Sequence, residues 1–174
     1  MRLHIPSVET ERLTLSAHRP EDLDDLLALW TDPVVTRYLG RPATREEAWA
    51  RLQRYIGHWA LFGHGFWAIR ERATGRFVGD TGIGDLQRDL AVSFDGAPEA
   101  GWVLASWAHG LGYATEAMTA VLAWAGATHP RTVCIIRTDN TASLRVAAKL
   151  GYRELARAPY HGQPVIAFER LLRA

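Results

Sequence analysis

The chain of 174 residues is poor in cysteine, has no long apolar run and carries almost no net charge. One cysteine, Cys134, excludes a disulfide framework within the chain and suits a reducing compartment. It sits in Val133-Cys134-Ile135-Ile136, which reads as a buried strand, so an inert thiol is expected. No stretch approaches the ~20 apolar residues of a membrane span. The opening Met1-Arg2-Leu3-His4-Ile5-Pro6 lacks the apolar segment of a signal peptide. A cytoplasmic location with no membrane partner is the default expectation. A net charge of +1 excludes a nucleic-acid binder that relies on a broad positive field, although Arg greatly outnumbers Lys and leaves room for a local patch. The seven histidines show no ligand spacing, so no metal is expected. No repeat, low-complexity tract or linker interrupts the chain, and one domain over residues 1–174 is expected.

What is present is an ordinary globular composition, 48% hydrophobic and 22% charged. Glu11 to Ala17 alternates Leu13 and Leu15 as a strand does. Pro20 opens a helix whose Leu23, Leu26, Leu27 and Trp30 form one stripe, and Asp32-Pro33 ends it. Thr44-Arg45-Glu46-Glu47 has capping-box spacing, followed by a helix with Ala48, Trp49, Leu52, Tyr55, Ile56 and Trp59 on one side. Strands are expected at Phe66–Arg70, from Arg76 to about Leu86, and at Glu99–Leu104, with a polar loop over Gln87–Pro98. A glycine-containing loop and a helix follow, with Ala117, Met118, Val121, Leu122 and Ala125 on its apolar face. Arg131–Arg137 is an apolar strand, Thr138-Asp139-Asn140 a cap, and Gly151 a left-handed helix stop. Tyr152 begins a strand, residues 160–164 turn, and Val165–Leu171 closes the order β-α-α-β-β-β-α-β-α-β-β. Hairpins mixed with strand-helix-strand crossovers imply an α/β (α+β) fold with a mixed sheet covered by helices.

The segment from Gly101 to Ala117 carries the chemistry. A strand leads through Gly110 and Gly112 into a helix. The first amides of a helix lack internal acceptors, carry the positive end of the dipole, and suit a phosphate. No Gly-Lys-Ser/Thr follows, so this is not a Walker loop. Thr115 stands where a dinucleotide fingerprint needs its third glycine.

His109-Gly110-Leu111-Gly112-Tyr113-Ala114 resembles the acetyl-CoA loop of the GNAT N-acetyltransferases, Gln/Arg-x-x-Gly-x-Gly/Ala, with His109 departing from its first position. Gly-Tyr-Ala-Thr-Glu-Ala at 112–117 resembles the ribosomal-protein (RimJ/RimL-like) branch. Asp139 to Tyr152 resembles that branch's Asn-x-x-Ser-x-Arg-x-x-x-Lys-x-Gly-Phe/Tyr signature, and Glu11-Arg12-Leu13-Thr14-Leu15 its first strand. The resemblance implies the GNAT acyl-CoA N-acyltransferase fold. That is a mostly antiparallel mixed sheet of about seven strands flanked by helices, the fourth and fifth splayed apart. It implies acetyl-CoA as cosubstrate and direct transfer in a ternary complex to an amine, on a protein N-terminus or a small molecule.

It also implies roles. The backbone of Trp102, Val103 and Leu104 would pair with the pantetheine arm, and one N–H would polarise the thioester carbonyl. His109, Gly110, Leu111, Gly112, Tyr113, Ala114 and Thr115 would hold the pyrophosphate. Asn140, Ser143 and Arg145 would contact coenzyme A, although Asn140 equally reads as an N-cap. Many GNAT enzymes place a thiolate-protonating tyrosine where this chain has Ala147, which leaves Ser143 as the candidate. Glu99 is the candidate base, against the plainer reading of a solvated carboxylate, with Asp80 and Asp85 behind it. The aromatic residues around Trp59 and Trp67, and Phe62 to Gly65, border the acceptor groove of such a fold, with core packing the alternative. An acyl-CoA sensor without turnover and a nucleotide-binding regulator stay open as rivals. Oligomeric state is unreadable, and a homodimer is compatible.

Overall fold

The computed structural model describes residues 4–172. Its elements are β1 (Val8–Glu9), β2 (Leu13–Ser16), α1 (Leu23–Thr31), α2 (Pro33–Thr36), α3 (Arg45–Phe62), β3 (Phe66–Glu71), β4 (Phe77–Gly84), β5 (Glu99–Leu104), α4 (Tyr113–Ala125), β6 (Arg131–Arg137), α5 (Thr141–Lys149), β7 (Arg153–Tyr160) and β8 (Gln163–Leu171). The eight strands form one sheet in the order β1-β2-β3-β4-β5-β6-β8-β7. Every neighbouring pair is antiparallel except β5 and β6. Those two run parallel and meet only at Glu99 and Val133. Beyond that point they diverge, which is the splay expected between the fourth and fifth long strands.

Local chemistry sets the element ends. Thr44 Oγ accepts from the Glu47 amide at 3.2 Å and Glu47 Oε2 from the Thr44 amide at 2.8 Å, completing the capping box of α3. Gly63 (φ +69°) stops α3 and Gly151 (φ +78°) lies just past α5, both left-handed as Gly tolerates. Pro33 ends α1 but also opens α2, because proline fits a first helical turn. The Asp32 side chain caps that turn through the Val34 amide at 2.8 Å.

Two cores flank the sheet. On one face α4 and α5 bury Tyr113, Ala117, Met118, Val121 and Ala147 against Leu13, Leu15, Ile69, Val78 and Leu104. On the other, α1 and α3 bury Leu26, Leu29, Trp30, Leu52 and Tyr55 against Phe66, Ala68 and Phe77. The α1 stripe is thus turned slightly, with Leu29 fully buried where Leu27 was expected. Trp49 is also displaced from the expected buried side of α3 and stands 38% exposed. Trp59, Trp67 and Trp124 meet edge to face with centroids 4.7, 5.1 and 5.5 Å apart, so their role is packing. Phe62 is half exposed beside His58 and His64.

Candidate active site

The divergence of β5 from β6 leaves backbone groups aimed into a gap. The Ala105 amide donates to Val78 O at 2.8 Å, and the Val133 amide donates to Pro98 O at 3.1 Å. Strand backbone groups alternate sides. Gly101 and Val103 therefore face β4, whereas Trp102 and Leu104 turn their N–H and C=O toward the gap. Of the three β5 residues expected to pair with a pantetheine arm, two have the right orientation. Val103 instead packs its side chain against the core under α1 and α3.

The loop after β5 is held by its own residues. His109 Nε2 donates to Leu104 O at 2.9 Å, which folds the loop back on the strand end. Ser106 Oγ donates to Asp32 Oδ2 at 2.5 Å, tying the loop to the α1–α2 corner and holding the Asp32 carboxyl below its ordinary range. Gly110 (φ +77°) and Gly112 (φ +81°) are left-handed. A Cβ would meet nothing within 4 Å at Gly110 and only the Arg12 guanidinium, at 3.5 Å, at Gly112. Their glycine character thus serves backbone angle and open approach, not internal packing. Gly112 caps α4 without a side-chain hydrogen bond, so the amides of the first turn stay directed outward.

Arg12 is a residue that sequence reasoning placed only in a strand motif. Its guanidinium pairs with Glu116 at 2.6 Å, donates to Leu111 O at 2.9 Å and lies 4.6 Å from the Tyr113 ring centroid. Glu116 also accepts from Thr10 Oγ at 2.6 Å and from the Arg12 amide at 2.8 Å. Tyr113 is buried and donates to Glu71 at 2.6 Å. The loop is therefore pinned from beneath by the residues just before β2 and by the end of β3, while Gly110, Leu111 and Gly112 stay exposed. Ala114 and Thr115 are half-buried in the first turn.

α5 begins beyond β6. Asn140 Oδ1 accepts from the Ser143 amide at 3.1 Å, so Asn140 is an N-cap. The Ser143 hydroxyl is half-buried and has no protein partner among the described residues. Arg145 is exposed, and Ala147 is fully buried in the core.

On the opposite face, Glu99 is not a solvated carboxylate. It is 5% exposed and held bidentately by Arg88, with Nε–Oε2 2.5 Å and Nη2–Oε1 2.7 Å. Arg88 also donates to the Tyr160 hydroxyl at 3.1 Å. A hollow of about 320 Å³ beside the pair is lined by Gly84, Asp85, Arg88 and Glu99. Asp85 is exposed and bonds the Gln87 side chain at 2.7 Å. Asp80 is 1% exposed and accepts from the Tyr55 hydroxyl at 3.2 Å. Burial pushes its carboxyl up to about 6. The Cys134 thiol is buried and pushed up by desolvation, as an inert core thiol would be. Among the described residues, no group of three or more His, Cys, Asp or Glu side chains comes together as a metal site. No described helix is long and apolar enough to cross a membrane.

Comparison with known proteins agrees with this geometry. Residues 12–153 match the acetyltransferase (GNAT) domain family. YoaA of Bacillus subtilis, an N-acetyltransferase by name, is 26% identical over 156 residues, covering 86% of this chain and 84% of its own. A Bordetella pertussis structure assigned to the GnaT acetyltransferase family is 30% identical with a TM-score of 0.85, covering 95% of this chain and 99% of that one. RimL, a ribosomal L7/L12 α-N-protein acetyltransferase solved with coenzyme A, shares the fold at 18% identity and a TM-score of 0.79, covering 95% and 98%.

Proposed function

The chain belongs to the GNAT acetyltransferase family, and we propose that it uses acetyl-CoA and moves the acetyl group directly to a primary amine in a ternary complex. The observation that carries this is the gap between β5 and β6, bordered by outward-turned Trp102 and Leu104 and ending at an uncapped, glycine-led helix. The pyrophosphate would rest on the amides from Gly110 to Thr115, since a helix N-terminus favours an anion. The pantetheine amides would pair with the gap-facing groups of β5 as an added strand would. The Trp102 N–H would stabilise the oxyanion formed when the amine attacks.

Ser143 would hydrogen-bond the departing thiolate. A thiol of pKa ~8.5 leaves without strong acid help, so one hydroxyl suffices. Arg145, exposed on the same helix, would meet a coenzyme A phosphate. Glu99, the candidate base, has both carboxylate oxygens on Arg88, so it would instead act through Arg88, fixing the guanidinium and the Tyr160 hydroxyl beside the acceptor. The acceptor class proposed is a protein N-terminal α-amine, the RimJ/RimL-like choice, with small amines as the second class. Support comes from residues 112–117 and 139–152, and from the likeness of fold to RimL. An α-amine (pKa ~8) also needs less deprotonation than a lysine (pKa ~10.4).

The test follows free coenzyme A thiol with α-amino peptides, lysine peptides, polyamines and aminoglycosides as acceptors. Turnover with α-amino peptides above all others is expected. Turnover confined to polyamines or aminoglycosides would refute the N-terminal choice.

A further inference from the structure

Beyond the meeting point of Glu99 and Val133, β6 forms the far side of the gap. Its side chains alternate faces. Cys134 and Ile136 join the core under α4 and α5, so Ile135 and Arg137 turn to the face of α1 and α3. Arg137 stands as far past Val133 as Val103 stands past Glu99, so the two are level across the gap. Trp102, whose N–H is the proposed oxyanion donor, is one residue nearer the meeting point. Along the strands, Arg137 is therefore about 3.3 Å from the level of the reacting carbonyl, on the face from which the acceptor approaches.

A second segment meets it there. Arg37 and Tyr38 follow α2 directly, and Arg137 Nη1 donates to the Arg37 carbonyl oxygen at 3.4 Å. The Arg37 and Arg137 guanidinium groups lie 5.4 and 5.7 Å from the Tyr38 ring centroid, within reach of a cation–π contact. Two like charges thus share one ring, and they also share one carboxylate. Asp139 takes Arg137 bidentately, at 2.9 and 2.7 Å. Its carboxyl is held below the ordinary range, chiefly by that hydrogen bonding and least by the Arg37 charge. The Arg37 guanidinium is exposed and makes no hydrogen bond or ion pair among the described residues. Asp32, the other carboxylate of this corner, is held by Ser106 and by the Val34 amide. Across the gap, Arg88 is neutralised by Glu99. Arg37 is therefore a surplus cation on the acceptor side, with five donors beside a second guanidinium, and an anion would balance it.

We propose that Arg37, steadied by Tyr38 and Arg137, binds a carboxylate carried by the acceptor, so that the preferred substrate is a peptide with Asp or Glu soon after its reacting amine. This rests on the N-terminal amine reading above. The spacing fits. A peptide whose amine enters the gap beside Trp102 carries its second to fourth side chains about 3–10 Å further on, over the rim that Arg137 and Arg37 form. The first turn of α4, proposed for the pyrophosphate, belongs to the opposite face, where Tyr113 and Ala117 are buried. That assigns the Arg37 rim to the acceptor rather than to a coenzyme A phosphate. Polyamines and aminoglycosides, as polycations, would be repelled by the same rim.

The test measures kcat and KM for both substrates, with matched peptides whose third residue is Asp, Asn or Lys, in wild type, Arg37→Gln, Arg37→Glu and Arg45→Gln. Wild type should favour the Asp peptide over the Asn peptide about ten-fold in kcat/KM, the size of one hydrogen bond to a charged group. Arg37→Gln should remove most of that preference, raising KM for the Asp peptide far more than it changes kcat, while acetyl-CoA still raises the melting temperature. Arg37→Glu should reverse the preference toward the Lys peptide. Arg45→Gln, at an exposed pair with Asp24, should keep the wild-type preference. Equal kcat/KM for the Asp and Asn peptides in wild type would overturn the proposal. So would a preference that survives Arg37→Gln or is lost equally in Arg45→Gln. A rise in KM for acetyl-CoA, in place of the rise for the Asp peptide, would also overturn it and give Arg37 to a coenzyme A phosphate. No turnover with any amine would sink the amine reading itself.

Discussion

The two faces of the sheet share the same strands but use opposite kinds of chemistry. Toward α4 the proposed site is backbone: amides at Gly110 to Thr115 and the gap-facing groups of Trp102 and Leu104, steadied by the Arg12–Glu116 clamp. Toward α3 it is side chain: Arg88 with Glu99, and Tyr55 with Asp80, buried in apolar surroundings. A backbone site binds a ligand whose shape and charge are constant, such as a pyrophosphate. A side-chain site can change with the acceptor while the fold stays fixed. The first face is cheap to build, because exposed amides are solvated until a ligand arrives. The second carries stored desolvation cost.

That contrast sets the size of each substitution effect. Arg88→Met should be the most damaging to stability, because it strands Glu99 as an unpaired buried carboxylate. A loss of about 3 kcal/mol is expected in denaturant titration. The exposed Glu154–Arg157 pair is the control, and Arg157→Met should change little. Gly112→Val should lower kcat/KM for acetyl-CoA about 100-fold, roughly 2.7 kcal/mol, because a β-branched residue resists φ near +81° and blocks the approach. Its folded state should survive, read as a melting transition that acetyl-CoA no longer raises.

Asp80 gives a pH signature of comparable size. Its folded pKa, about 6, lies above the ordinary 3.8. The stability linked to its proton is therefore complete below pH 3.8 and is lost as pH rises through 6. Between those limits the wild type should lose about 2–3 kcal/mol relative to Asp80→Asn, whose amide does not titrate. Urea titrations at pH 4 and pH 7 compare the two; parallel behaviour would show that Asp80 is not buried as a charge.

The smallest effect is expected at Asn140. Loss of its cap in Asn140→Ala should cost about 1 kcal/mol of stability. If the Michaelis constant for acetyl-CoA also rises, Asn140 serves both faces of the comparison rather than α5 alone.

The backbone face was readable from the sequence because glycine spacing before a helix records backbone geometry directly. The α3 capping box and the Gly151 stop were legible for the same reason, as each is written in neighbouring residues, whereas the splay of β5 from β6 came from the resemblance to the GNAT fold and from no local signal. Two short elements were not. β1 spans two residues, too few to show a period. α2 was hidden because Pro33 reads as a stop, although Asp32 makes it a start. Trp49 shows that an apolar stripe on an eighteen-residue helix can be wider than the core it meets. The side-chain face was only half legible. Glu99 and Asp80 could be nominated as carboxylates, but their partners Arg88 and Tyr55 lie 11 and 25 residues away. Arg12 and Glu116, more than one hundred positions apart, carried no local signal that they meet.

The most direct test of the central claim is acceptor-dependent release of coenzyme A thiol from acetyl-CoA by the purified protein. Thiol release that requires an added amine, with a mass gain of one acetyl group on that amine, is the predicted result. Tight acetyl-CoA binding with no acceptor-dependent release across the whole amine panel would contradict it and leave a protein that senses the cosubstrate without transferring it.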